Sequence, residues 1–164
     1  MSHHESWDFL RKGMIQKIPY DLFQYGHLAI VVPSADPSGV RLLQVAMKQA
    51  VNDEEGLDYL NGKSWVMYRP PSGSIDDEKL LEFTRIVTTK ASDPKHAYDY
   101  PSAVGIKNAP CRPDTQAEIG ARFSCSTLVI AALHYSGFHL KALHRGGRLD
   151  LVTPGQVVEN YGTR

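Results

Sequence analysis

The sequence predicts one α+β domain, and three observations carry that expectation. Two short apolar runs rich in β-branched residues, His27–Val32 and Val40–Met47, flank the turn PSADPSG at 33–39, the pattern of an antiparallel hairpin. Two further stretches, Lys79–Thr88 and Thr127–Ser136, have the length and apolar spacing of helices. The 164 residues contain no internal repeat, low-complexity segment or linker, so these elements are expected to share one core within a single domain spanning 1–164. A chain of that length buries roughly 68–70% of its unfolded surface, enough for a core without covalent staples.

Taken in chain order, residues 5–16 place Trp7, Leu10, Met14 and Ile15 near helical spacing, which predicts an N-terminal helical extension within 1–20. A turn at 18–21 precedes the strand 27–32, which Pro33 stops. The run 40–51 reads as strand or helix, and the short loop before it favours a strand over 40–47. Trp65–Arg69 alternates and ends at Pro70-Pro71, predicting a third strand. Ser74 precedes Asp76, Asp77 and Glu78, the signature of an N-cap with acids in the first turn, and Leu80, Leu81, Phe83, Ile86 and Val87 supply the helix's apolar face. Residues 89–122, rich in Pro, Asp, Asn, Ala and Lys, read mostly as loop. Ser124-Cys125-Ser126 opens the apolar helix, and Gly137 is placed to end it as the C′ residue. Near the end of the chain, Thr153-Pro154 reads as a cap followed by proline at the first helical position.

Composition excludes several function classes. Eighteen Lys+Arg balance eighteen Asp+Glu, so the chain lacks the basic surface that grips nucleic acid or anionic membrane without specificity. Apolar runs reach only about six residues, against roughly twenty for a membrane helix, so no membrane span is expected. The first fifteen residues are charged and interrupted, unlike a signal peptide, which predicts a cytoplasmic protein and leaves a signal-independent export route open. Two cysteines, Cys111 and Cys125, are too few for a disulfide scaffold or a four-cysteine zinc site.

Cys125 stands where the loop Arg122–Ser124 becomes the apolar helix. A thiol there feels the positive end of the helix dipole, which is expected to lower its pKa toward neutrality, and the first-turn N–H groups are free to hold an oxyanion. The alternative is a small buried hydrophobe. His27 lies at the mouth of its strand, either as a base for a cysteine or as a solvated turn residue. Gln44 is the only polar residue in Leu42–Met47; facing inward it would orient the imidazole, and facing outward it would be plain strand surface. Tyr98 and Tyr100, in the segment Tyr98-Asp99-Tyr100-Pro101, lie in the long loop, where simple packing is one role for them. His3, His4, His134, His139, His144 and the basic group Lys141, Arg145 and Arg148 read as tail or solvated surface, and His134 is about two and a half turns from Cys125.

GHLAIVV at 26–32 and FSCSTLVIAALHYSG at 123–137 resemble the histidine strand and the cysteine helix of circularly permuted papain-like proteins of the NlpC-type superfamily, in the YiiX-like and YaeF-like branch. The intervening LLQVAMKQAV, LDYL and SWVMYRP, and TPGQVV at 153–158, are similar to that branch as well, so the resemblance covers residues 23–160. It implies a permuted papain-like fold with a curled antiparallel sheet packed on the nucleophile helix. It also implies a cysteine peptidase or amidase with Cys125 as nucleophile, His27 as base and Gln44 as orienting residue, where the branch often has Glu. The expected substrates are a peptide, a peptidoglycan stem peptide or an acylated amine. The branch often places a Tyr-Asp segment near its cleft, so the resemblance also implies a substrate-binding role for Tyr98 and Tyr100. No metal or organic cofactor is called for. A thioesterase or acyltransferase on lipid-like substrates would use the same residues, and a non-catalytic binding module could keep the same fold.

Overall fold

The computed structural model describes residues 26–103 and 112–140, together with Pro154 and Val157. The expected N-terminal helix, Cys111, His144, the basic group at 141–148 and most of the C-terminal motif lie outside the described residues; Pro154 and Val157 are both helical.

Three strands form one antiparallel sheet in the order β1-β2-β3: β1 is Ile30–Pro33, β2 is Val40–Gln44 and β3 is Asn52–Glu55. β1 and β2 pair as the expected hairpin, with Ile30 opposite Leu43 and Pro33 opposite Val40. Its turn is closed by Ser34 N–H donating to the Gly39 carbonyl at 3.0 Å, and by the Arg41 guanidinium reaching across to the Asp36 carboxylate. Gly39 has φ +71°, the left-handed region that a side chain would strain. β2 is the central strand, and Leu42, Leu43 and Gln44 are all buried.

The third strand is not the one the sequence favours. Trp65–Arg69 forms no strand, and its place beside β2 is taken by Asn52–Glu55. Asn, Asp and Glu have low β propensity, so nothing local announces β3. It forms because Leu42 and Gln44 offer pairing to Glu55 and Asn52, and because Val51 N–H donates to the Ala91 carbonyl at the end of the following helix. An acidic outer strand also discourages edge-to-edge aggregation.

That helix, α1, is Asp77–Lys90, with Leu80, Phe83, Thr84 and Val87 buried. Its cap is Asp76, two residues later than the serine the sequence points to: the Asp76 carboxylate accepts from Lys79 N–H at 3.1 Å, whereas Ser74 Oγ is committed to the Pro71 carbonyl. α2 is the short turn Tyr100–Ala103, and one-turn 3-10 helices occupy Leu57–Leu60 and Gln116–Glu118. α3, Cys125–Tyr135, runs through the core with every residue from Cys125 to Leu133 buried. It ends as expected, with Gly137 at φ +92° just beyond the helix. α1 packs on both α3 and β1, and α3 reaches β2, so the core lies between the sheet and the two long helices.

Candidate functional site

The start of α3 is fastened by a reciprocal cap. Thr127 N–H donates to Ser124 Oγ at 3.3 Å, and Ser124 N–H donates to Thr127 Oγ1 at 2.8 Å. Thr127 here takes the place three residues after the cap that Glu or Gln holds in the usual capping box, so the sequence signature did not announce it. Replacing Ser124 by alanine is expected to lower unfolding stability by about 1 kcal/mol, read as a lower urea midpoint at unchanged slope.

In the first turn of α3 the N–H groups of Cys125 and Ser126 both turn toward the Cys125 sulfur. A third N–H reaches the same sulfur from another part of the chain, that of Leu28. This contact seats the nucleophile candidate directly against the segment that carries His27. Cys125 itself is only 7% exposed. Burial pushes its thiol up from the ordinary value and outweighs the three N–H groups that pull it down. The thiolate expected from the helix dipole is therefore corrected: in the free protein Cys125 rests as a thiol, because losing hydration costs the anion more than the first-turn donors return.

His27 Nε2 stands 3.0 Å from Gln44 Oε1. An amide oxygen can only accept, so with this amide orientation Nε2 carries the proton and Nδ1 keeps the lone pair that a base needs. Gln44 is 3% exposed, so it faces inward rather than out to solvent. His27 as a whole residue is exposed. Desolvation by the protein around it nevertheless lowers its pKa below the ordinary value, the Gln44 hydrogen bond opposes this, and the charge of Lys63 adds to the lowering. A low histidine pKa and a high cysteine pKa leave both groups neutral at pH 7.

Tyr98 enters through the backbone. Phe123 N–H donates to the Ala97 carbonyl at 2.8 Å and Asp99 N–H donates to the Phe123 carbonyl at 2.9 Å, a single parallel bridge that lays 97–99 beside the residues leading into Cys125. Burial and the neighbouring Cys125 push the Tyr98 phenol up to about 12, so it stays a protonated donor throughout the usable pH range. Tyr98 packs edge-on against Tyr100, with ring centroids 4.9 Å apart, and Tyr100 is exposed at the rim.

All five sequence-selected residues thus fall in one neighbourhood: Cys125, His27, Gln44, Tyr98 and Tyr100. Sequence reasoning missed the Leu28 N–H and the charge of Lys63 acting on His27, and neither has a local signal. His134 does not belong to the site; it lies at the far end of α3, 3.0 Å from an Asp114 carboxylate oxygen and stacked on His139. Among the described residues, no group of three or more His, Cys, Asp or Glu is arranged to hold a metal ion, and no helix is long and apolar enough to cross a membrane.

Fold and site together define an α+β protein with a three-stranded antiparallel sheet, a buried cysteine at a helix start and a histidine–glutamine pair beside it. Comparison with protein-family models, with curated proteins and with solved structures gave no match.

Proposed function

We propose that this chain is a cysteine hydrolase of the permuted papain-like kind, cleaving an amide bond by covalent catalysis. The observation that carries it is the His27–Gln44 hydrogen bond standing next to a thiol that Leu28 N–H touches. Because both groups rest neutral, His27 Nδ1 acts as a general base: it takes the thiol proton as Sγ attacks the substrate carbonyl. Oxyanion charge is met by the N–H groups of Cys125 and Ser126, with the Tyr98 phenol as a further donor. His27 then returns the proton to the leaving amine, giving a thioester on Cys125. Water, deprotonated by the same Nδ1, hydrolyses that thioester and regenerates the thiol. Gln44 holds the ring in the required tautomer but, being neutral, does not stabilise the imidazolium as a carboxylate would.

Substrates of this chemistry are peptides, peptidoglycan stem peptides and acylated amines; a thioesterase or acyltransferase would differ only in leaving group or acceptor. The test is acylation by p-nitrophenyl acetate followed by mass spectrometry of the peptides carrying Cys125 and Cys111. The expected result is a stoichiometric acetyl group on Cys125, absent from the His27→Ala protein at neutral pH. Equal acetylation of both cysteines, or a rate indifferent to His27, sinks the proposal.

The pH profile has a definite sign. His27 works as a base only when neutral, and its pKa is depressed, so acylation should be flat at pH 7 and fall only well below pH 6.5. In Gln44→Glu a carboxylate favours the imidazolium, so the same acid limb should move to higher pH. A limb that stays in place in this variant argues that residue 44 does not address the catalytic imidazole.

A further inference from the structure

An acyl donor must bring its carbonyl carbon within bonding distance of Sγ, yet Cys125 is almost wholly buried. What else of the substrate can follow depends on the groups around the sulfur. The N–H groups of Leu28, Cys125 and Ser126 all approach it, and Leu28 is packed against the core. The segment carrying Tyr98 is fixed by main chain beside the residues that lead into Cys125. Phe123 N–H donates to the Ala97 carbonyl at 2.8 Å, and Asp99 N–H donates to the Phe123 carbonyl at 2.9 Å. Ala97 is buried and Tyr98 itself packs on the core, so this segment has little room to retreat. The Tyr100 ring meets the Tyr98 ring edge-on, which holds the phenol further in place. His27 is different, because it is exposed as a whole residue. The surroundings of the site are therefore unequal, with packed walls near the thiol and open water near the base.

We propose that Cys125 takes acyl groups that are unbranched at the carbon next to the carbonyl, that the buttressed Tyr98 ring is the wall that rejects branching, and that the leaving group is free in size. This deepens the hydrolase proposal and rests on it for the reaction. It narrows the substrate class to acetyl, glycyl or straight-chain acyl derivatives of an amine, and sets aside peptide bonds whose carbonyl belongs to a residue with a side chain. The tetrahedral carbon formed by attack carries four groups, and three have their places. Sulfur holds one, the first-turn N–H groups of α3 meet the oxyanion, and the amine departs on the side of His27, where it receives its proton. The acyl substituent takes the direction that remains, along the Tyr98 ring. A second carbon branch there meets a packed aromatic side chain, whereas a larger amine extends past the exposed histidine into water.

Two size series on the full chain test this, each read by mass spectrometry of the peptide carrying Cys125. The first uses methyl, propyl and tert-butyl methanethiosulfonates. The Cys125 thiol attacks the outer sulfur, gains the alkylthio group as a mixed disulfide and releases methanesulfinic acid, which takes up the thiol proton. Branching then falls at the same number of bonds from Sγ as in a branched acyl group, and no acyl chemistry is involved. Each rate is divided by that of N-acetylcysteine, which removes intrinsic reactivity. The methyl and propyl reagents should keep pace with each other, and the tert-butyl reagent should be slower by about a hundredfold, the scale at which a rigid pocket rejects surplus carbon. Tyr98→Ala should restore most of the tert-butyl rate, and Tyr98→Phe, which keeps the ring, should not. Tyr98→Leu repeats the comparison should Tyr98→Ala fail to fold. The second series compares p-nitrophenyl acetate with p-nitrophenyl isobutyrate and with the acetyl ester of 4-methylumbelliferone, under the same correction. The isobutyrate should be rejected and the bulkier leaving group accepted. A tert-butyl rate that follows N-acetylcysteine, discrimination that survives loss of the Tyr98 ring, or a native Cys125 that even the methyl reagent does not reach overturns the proposal. So does rejection of the 4-methylumbelliferyl ester. Discrimination among the methanethiosulfonates without any acylation removes the hydrolase proposal alone, and acylation without discrimination removes only the wall.

Discussion

Replacing Cys125 by alanine is expected to lower acyl transfer from p-nitrophenyl acetate by about three to four powers of ten, to the level set by binding and oxyanion donors alone. The neighbouring hydroxyls of Ser124 and Ser126 are buried and face one another at 3.3 Å, so neither is presented to a substrate in its place. Stability should fall only modestly, by about 1 kcal/mol, because a single buried sulfur is removed from a wall that already contains alanines. Steady-state acylation measured beside a thermal melt separates the two effects. Retention of more than a tenth of the activity would mean that the chemistry resides elsewhere.

Phe123→Ala should produce the largest loss of stability, about 3–5 kcal/mol, read as a fall in urea midpoint. Phe123 is fully buried in the core and immediately precedes the capping serine of α3. Its backbone holds 97–99, and with them Tyr98, against the site. Phe83→Ala, equally buried on α1, is the comparison. It should cost a similar amount while leaving the acylation rate per folded molecule unchanged. Phe123→Ala should lower that rate as well, because its main-chain bridge to 97–99 survives but the buried ring that fixes this backbone in the core is lost. If both variants affect acylation alike, Phe123 acts only through global stability.

Much of the site was legible because each of its parts has a local cause. A serine–cysteine–serine run opening an apolar segment marks a helix start, and the structure begins α3 at that cysteine. A lone glutamine inside an apolar strand announces either an outward face or an inward partner; the short hairpin loop then places it beside the histidine strand, and the inward choice is the one observed. What sequence could not supply was the sign of the balance at Cys125. Helix position favours the thiolate, burial favours the thiol, and burial depends on how Leu28, Tyr98 and the helix close around the sulfur.

The strand error has the same origin. Trp65–Tyr68 has the composition of a sheet strand, and Asn52–Glu55 does not. Pairing, however, is decided by which segment can reach β2 while Val51 is tied to the end of α1. The sequence by itself determined the α+β class, the hairpin, both long helices and the candidate site residues, since those follow from apolar period, turn chemistry and capping within short windows. Only the tertiary structure decided the third strand, the exposure of Trp65–Tyr68 outside the sheet, and the neutral state of the cysteine and histidine. Those depend on contacts between distant segments and on the water such contacts exclude, and no local window carries that information.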